Sequence, residues 1–278
     1  LSKVESSIRA ADSVPLWIVD AFASSPFTGN PAAVCWLEQP ASSDWMQQVG
    51  AEMNLSETAF IRPLDARRFE LRWFTPEEEV DLCGHATLAA AHILWETGRL
   101  AIQDEAAFET KSGVMKASRH GEQIQLDFPA ETVVPAQLPA PLIEALGFIP
   151  RFTGRNRLDY LVEADSEVTV RELQPDLAII RSLDARGVIV TSKSCSENEL
   201  EFDFVSRCFY PAIGINEDPV TGSAHCALAP YWAKRLRKTE LKAYQASRRG
   251  GHLTVCLEGD RVKLMGRAVT VLTGKLTT

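Results

Sequence analysis

The sequence predicts an α+β chain of two pseudo-symmetric halves, each a curved, mostly antiparallel, barrel-like sheet wrapped around one central helix. Three observations carry this expectation. Short β-rich segments outnumber helices along the chain. The stretches 72–94 (RWFTPEEEVDLCGHATLAAAHIL) and 206–232 (SRCFYPAIGINEDPVTGSAHCALAPYW) follow one plan: an aromatic β-prone run ending in proline, an acidic turn, a small-Gly-polar triplet, then an Ala/Leu-rich helix. Aligning Cys83-Gly84-His85-Ala86 with Thr221-Gly222-Ser223-Ala224 sets the copies 138 residues apart, close to half of the 278.

Each element has a local reason. Alternating or β-branched runs predict strands at 16–22, 32–37, 57–62, 68–74, 107–113, 122–128, 160–164, 187–192, 200–207, 252–258 and 261–266. A Ser/Asp start predicts a helix over 42–53, and Gly98 closes one over 86–97. Further helices are expected at 139–147, 174–182 and 223–237. Residues 86–94 are apolar almost all round, so that helix belongs inside its half. The proline-rich stretch 128–141 is the natural linker, dividing the chain into 15–127 and 128–260. Strand-like sequence runs on through 261–274, so the segment 261–278 can return to complete the first half.

The bulk composition narrows the function. A net charge of −8 with pI near 5.3 is poorly suited to phosphate backbones, so nucleic-acid binding is not expected. The basic clusters 234–238 and 247–251 read as a solvated helix end and a turn. No apolar run approaches the roughly 18–20 residues of a membrane span, and the polar opening 1–14 lacks an apolar signal core and reads as a frayed tail. A cytoplasmic protein without membrane partners is expected. The six cysteines are scattered without metal-ligand spacing, so no metal site is expected and most should be buried thiols.

A helix start leaves backbone N–H groups unpaired and carries about half a positive charge, which makes it an anion site. Glycine at 84 and 222 lets a ligand approach the backbone, and His85 or Ser223 can contact the bound group. Were both starts to open into one cleft, a small carboxylate could be held there. Glu57, in NLSETAF at 54–60, falls at a helix-to-strand boundary. A carboxylate in a water-poor cleft has a raised pKa and can both take and return a proton. Asp218, four residues ahead of Gly222, could bind an amino or hydroxyl group or orient His85.

The stretches FTGNPAAV (27–34), LSETAF (55–60), FTPEEEVDLCGHATLAAA (74–91) and GINEDPVTGSAHCALA (214–229) resemble the PhzF-type phenazine-biosynthesis isomerases and their PhzF-like relatives. The resemblance implies a diaminopimelate-epimerase-like fold, an active site between the halves, a homodimer and no cofactor. In the founding member a glutamate at the position of Glu57 moves a proton between carbons of dihydro-hydroxyanthranilate. The matching positions for its other site residues are Gly84, His85, Asp218, Gly222 and Ser223. Glu57, His85 and Asp218 are thus the expected catalytic residues, and Gly84, Gly222, Ser223 and Cys83 the expected substrate contacts.

Epimerases of the same superfamily use two facing cysteines, whereas Thr221 stands opposite Cys83 in the repeat. An alcohol cannot replace a thiol as proton carrier near neutral pH, which favours the single-carboxylate scheme. Cys83 is by default an inert buried thiol, although a helix start lowers thiol pKa. The remaining readings are an epimerase or racemase with Cys83 as a base, and a non-catalytic binding protein. Glu57 on its own would read as a solvated strand-edge carboxylate, and Asp218 as a turn residue before Pro219. His92, His120, His225 and His252 show no partner spacing and are read as structural.

Overall fold

Ala86, Leu88, Ala89, Ala90, Ala91, Ile93 and Leu94 are all fully buried, so the helix Gly84–Glu96 is enclosed except along the edge that carries His92 and Glu96. Its small residues let strands come close, and each enclosed Leu or Ile contributes about 1.5–3 kcal/mol. A computed structural model describes residues 13–195 and 202–277. Most of the expected N-terminal tail, residues 1–12, and the first two residues of the expected strand 200–207 lie outside the described residues.

The chain divides into two compact units. Among the described residues the first comprises 13–27, 31–126 and 266–277, and the second 28–30, 127–195 and 202–265. Residues 28–30 therefore group with the second unit rather than the first. Asn30 donates to Asp218 and to the Val220 carbonyl, and Gly29 pairs with the Gly250 carbonyl.

In the first unit, Val14–Ala21 runs antiparallel to Ala268–Leu276, with a bulge between Ile18 and Val19. Asn30–Trp36 lies parallel to Glu57–Pro63, which is antiparallel to Arg68–Phe74. Arg68–Phe74 lies parallel to Ala106–Thr110, and Gly113–His120 and Gln123–Pro129 follow as antiparallel neighbours. The Gly84–Glu96 helix packs on Val14–Ala21, Glu57–Pro63 and Ala268–Leu276. A second helix, Ser43–Met53, is capped by Ser42 and seals the Phe60 and Phe74 side of the sheet with Met46 and Val49.

The second unit repeats this pairing scheme. Phe152–Arg155 is antiparallel to Val134–Pro135 and to Asp159–Glu163. Asp159–Glu163 is parallel to Gly187–Lys193, and the latter antiparallel to Phe204–Tyr210. Phe204–Tyr210 is parallel to Glu240–Gln245, followed by antiparallel Gly251–Glu258 and Arg261–Gly266. Each unit also carries one short strand, Glu79–Val80 or Ile215–Asp218, just before its enclosed helix. That helix in the second unit is Gly222–Leu236. Parallel and antiparallel pairings thus fall in the same order twice, giving the α+β, epimerase-like class.

Several elements depart from the sequence expectation. The expected strand 107–113 is two strands, because Gly113 at φ 101° turns the chain into a further strand, Gly113–His120. That strand alternates around polar residues, which hides it from an apolar pattern. Glu240–Gln245 and the six-residue helix Glu167–Glu172 were likewise unexpected. The expected helix 174–182 shortens to Leu177–Arg181, since Asp176 caps it two residues later than the pattern suggests. The basic clusters are less solvated than expected. Arg235 stacks on Tyr231 at 3.7 Å, and Arg249 donates to the carbonyls of Thr28 and Gly29. Among the described residues no helix is long and apolar enough to cross a membrane.

Gly187 shows how tightly the second sheet closes. A Cβ there would collide with the Phe209 carbonyl and the Tyr210 ring. Gly187→Ala is expected to cost about 2–3 kcal/mol, read as a lower urea midpoint with an unchanged slope.

Candidate functional site

The Gly84–Glu96 helix starts without a side-chain cap. Cys83 occupies the cap position in an extended conformation, and its side chain makes no capping hydrogen bond. Its sulfur instead lies 3.5 Å from Nδ1 of His85. The Cys83 carbonyl accepts from the Thr87 hydroxyl and from the Thr87 N–H. The amides of the first turn, Gly84 and His85 among them, have no carbonyl partner within the helix.

Glu57 reaches the same helix start from the sheet. Asn54, in a left-handed conformation at φ 49°, ends the preceding helix, and Glu57 opens the strand Glu57–Pro63 beside Ala32. Its Oε2 lies 3.2 Å from Nε2 of His85, with the Glu57 side chain 13% exposed. Burial pushes the His85 pKa down to about 3, so its imidazole is neutral at physiological pH. A neutral ring carries one N–H. The Nε2 and Oε2 atoms approach without the geometry of a hydrogen bond to each other, and a ring protonated on Nε2 would leave Nδ1 to accept from the Cys83 thiol. The structure thus brings together Glu57, Cys83, Gly84 and His85, four of the seven residues named from the sequence.

The helix Gly222–Leu236 begins in the same way. Thr221 holds the cap position without capping by its side chain, and His225 Nδ1 donates to the Thr221 carbonyl at 2.7 Å. Asp218 is buried and engaged at both oxygens, one accepting from Asn30 Nδ2 at 2.8 Å and the other from the Thr221 hydroxyl. Burial outweighs these bonds and raises its pKa to about 6. Gln245 donates to the Asp218 carbonyl and accepts from the Thr221 N–H. Ser223 accepts from Arg186 at 3.1 Å, and that guanidinium pairs with the buried Asp159 and lies 4.6 Å above the Tyr210 ring. Asp218, Gly222 and Ser223 therefore form a second polar helix start.

Sequence reasoning placed Thr221 at this helix start without its bond to Asp218, and did not single out Asn30, Arg186 or Gln245. Asn30 lay inside the quoted FTGNPAAV stretch, the only available signal. Its bond to Asp218 spans 188 residues, and no local period reports such a distance.

Comparison with known proteins gives a consistent picture. The family model described as phenazine biosynthesis-like protein (PhzC-PhzF) matches residues 19–274. A Halalkalibacterium halodurans protein named as an uncharacterized isomerase is 55% identical over 263 residues, covering 94% of this chain and 98% of its own. The crystal structure of a PhzF-family phenazine biosynthesis protein from Enterococcus faecalis superposes with a TM-score of 0.90 at 42% identity, covering 95% of this chain and 99% of that one. A hydroxyproline epimerase from Agrobacterium vitis, at 13% identity and TM-score 0.62 over 96% of this chain and 93% of its own, shares the fold alone.

The buried titratable groups set a pH dependence whose sign follows from their shifts. Unfolded histidines take up a proton near 6.5, whereas folded His85 and His225 resist it until about 3 and about 4. Their stabilisation is full above 6.5 and fades as pH falls toward those values. His92, also lowered by burial, adds in the same direction. Asp218 opposes them, because its contribution is present below 3.8 and is lost as pH rises through about 6. The net expectation is a urea midpoint that drops between about pH 6.5 and 5, each histidine supplying at most about 1.4 kcal/mol per pH unit. His225→Gln should flatten that drop, and an unchanged slope in the variant would contradict the assignment.

Proposed function

Since the chain belongs to the phenazine biosynthesis-like (PhzC-PhzF) family and is an isomerase, we propose that it moves a proton within a small carboxylate-bearing metabolite, with Glu57 as acid and base. The observation that carries this reading is the 3.2 Å approach of Glu57 to a neutral His85 at a glycine-led helix start. The first-turn amides would receive the substrate carboxylate and stabilise the negative charge that forms when a carbon loses its proton. Donors placed in this way are worth roughly 3–4 kcal/mol each in the transition state.

In this scheme the Glu57 carboxylate takes a proton from one carbon and returns it to another on the same face of the substrate. Charge balances, because the electron pair left by the departing proton shifts through the substrate's double bond to the carbon that is reprotonated. No cofactor is required by these steps. His85 acts as a positioning residue: its Nε2 side fixes the carboxylate without supplying a full positive charge. Gly222 and Ser223 offer a second set of helix-start donors, and Asp218 holds that start in shape through Thr221. The Cys83 contact with His85 supports a second reading, an epimerase that uses the thiol as one base. Rapid inactivation by a thiol alkylator, prevented by substrate, would favour it.

Incubation with a panel of amino and aromatic acids in deuterated water tests the glutamate scheme. Glu57→Gln is expected to lower turnover and solvent exchange by about 10²–10⁴-fold while KM changes little. Exchange retained at the wild-type rate in this variant would rule out the glutamate as proton carrier.

A further inference from the structure

The glutamate scheme gives the Cys83 thiol no task, yet it is one of three different donor types that converge at the first helix start. One ligand atom from each of Glu57, Cys83 and His85 lies within 4.8 Å of the others. Among the described residues no other trio of His, Cys, Asp or Glu side chains gathers in this way. We propose that Cys83, His85 and Glu57 form a three-ligand site for a soft divalent cation, Zn²⁺, and that the bound ion switches the isomerase off by occupying its base. Binding stands on the geometry alone; only the inhibition rests on the reading of Glu57 as proton carrier.

The donor set selects the ion. Sulfur, imidazole nitrogen and carboxylate oxygen together suit zinc, whereas magnesium and calcium take oxygen ligands. Bonds of about 2.3 Å to sulfur and about 2.0–2.1 Å to nitrogen and oxygen place tetrahedral ligand atoms roughly 3.3–3.6 Å apart. Cys83 Sγ stands 3.5 Å from His85 Nδ1, and Glu57 Oε2 stands 3.2 Å from Nε2. These contacts use opposite ring nitrogens, so binding needs a turn of the ring or a carboxylate shift of roughly 1 Å to bring both donors to one nitrogen. Three protein ligands leave a fourth position for water or a substrate carboxylate.

Charge also closes. The thiol S–H breaks, its proton leaves to solvent, and metal–sulfur, metal–nitrogen and metal–oxygen bonds form. A thiolate and a carboxylate then neutralise the dication, and a neutral imidazole brings its lone pair without giving up a proton. A cluster of zero net charge is tolerable in a buried place at the positive end of a helix, where a bare cation would be repelled.

The full-length chain, stripped with a chelator and titrated with Co²⁺ as a spectroscopic substitute for Zn²⁺, provides the test. One Co²⁺ per chain is expected, with a near-ultraviolet thiolate-to-cobalt band and tetrahedral visible bands, all displaced by Zn²⁺. Cys83→Ser should lose the thiolate band and bind about 100-fold more weakly, whereas Glu57→Gln should weaken binding about 10-fold yet keep the band. Unchanged far-ultraviolet circular dichroism in both variants separates loss of ligand from loss of fold. No stoichiometric Co²⁺, or a thiolate band that survives Cys83→Ser, would overturn the site. Stoichiometric Zn²⁺ that leaves turnover unchanged would overturn the inhibition. A failure of the glutamate scheme would appear instead as retained exchange in Glu57→Gln, with the cobalt spectrum intact.

Discussion

A helix that is apolar almost all round must be enclosed, and enclosure sets the rest of this structure. Strands wrap Gly84–Glu96 closely because Ala86, Ala89, Ala90 and Ala91 present little bulk. With most of its length packed against strands, the helix presents its start to a ligand in the proposed scheme. The N-terminal end then matters most, since its first amides have no partners within the helix. Ordinary helices spend a Ser, Thr or Asp side chain on those amides, as Ser42 and Asp176 do here. Neither enclosed helix does. Cys83 turns toward His85 and Thr221 toward Asp218, so both cap positions hold back from their own amides.

The two units show how one scaffold supports different chemistry. In each, the side chain four residues after the cap donates back to the cap carbonyl, Thr87 to Cys83 and His225 to Thr221. That bond steadies the helix start while leaving the first amides untouched. Around this shared frame the surroundings diverge. The first unit sets a thiol, a neutral imidazole and a carboxylate in a row. The second locks a buried carboxylate among Asn30, Thr221 and Gln245, with Arg186 on Ser223. A carboxylate bound at both oxygens holds a shape well and moves a proton poorly. Under the proposed scheme Asp218 organises the second helix start and Glu57 carries the proton.

The fold was legible where sequence period and burial agree. Residues 86–94 advertise an enclosed helix, and the repeated Gly-led triplet exposes the duplication that strand pairing bears out twice over. Legibility failed where strands carry polar side chains on a solvated face, as in Gly113–His120 and Glu240–Gln245, because alternation there has few apolar members to reveal it. The candidate site divides in the same way. Glu57, Cys83, Gly84 and His85 lie in short motifs that point to a helix start. Asn30, Arg186 and Gln245 act through hydrogen bonds to residues far away in the chain, and such bonds leave no local pattern in a sequence.

Burial of His85 bears directly on what the neighbouring carboxylate can do. Two opposite unit charges about 4 Å apart interact by about 4 kcal/mol at an effective dielectric near 20, equivalent to roughly three pH units of carboxylate basicity. An imidazolium beside Glu57 would impose that penalty on the base. Held neutral by burial, His85 stands 3.2 Å from the carboxylate without bringing a full charge to it. The same neutrality requires the ring to find its second partner among uncharged donors, and the Cys83 thiol is placed to be that partner. A protonated thiol, a neutral ring and an ionised carboxylate are therefore one self-consistent assignment of protons. Replacing the thiol proton by a divalent metal ion takes the cluster from one net negative charge to zero and, under the proposed scheme, occupies the carboxylate lone pair on which proton transfer depends.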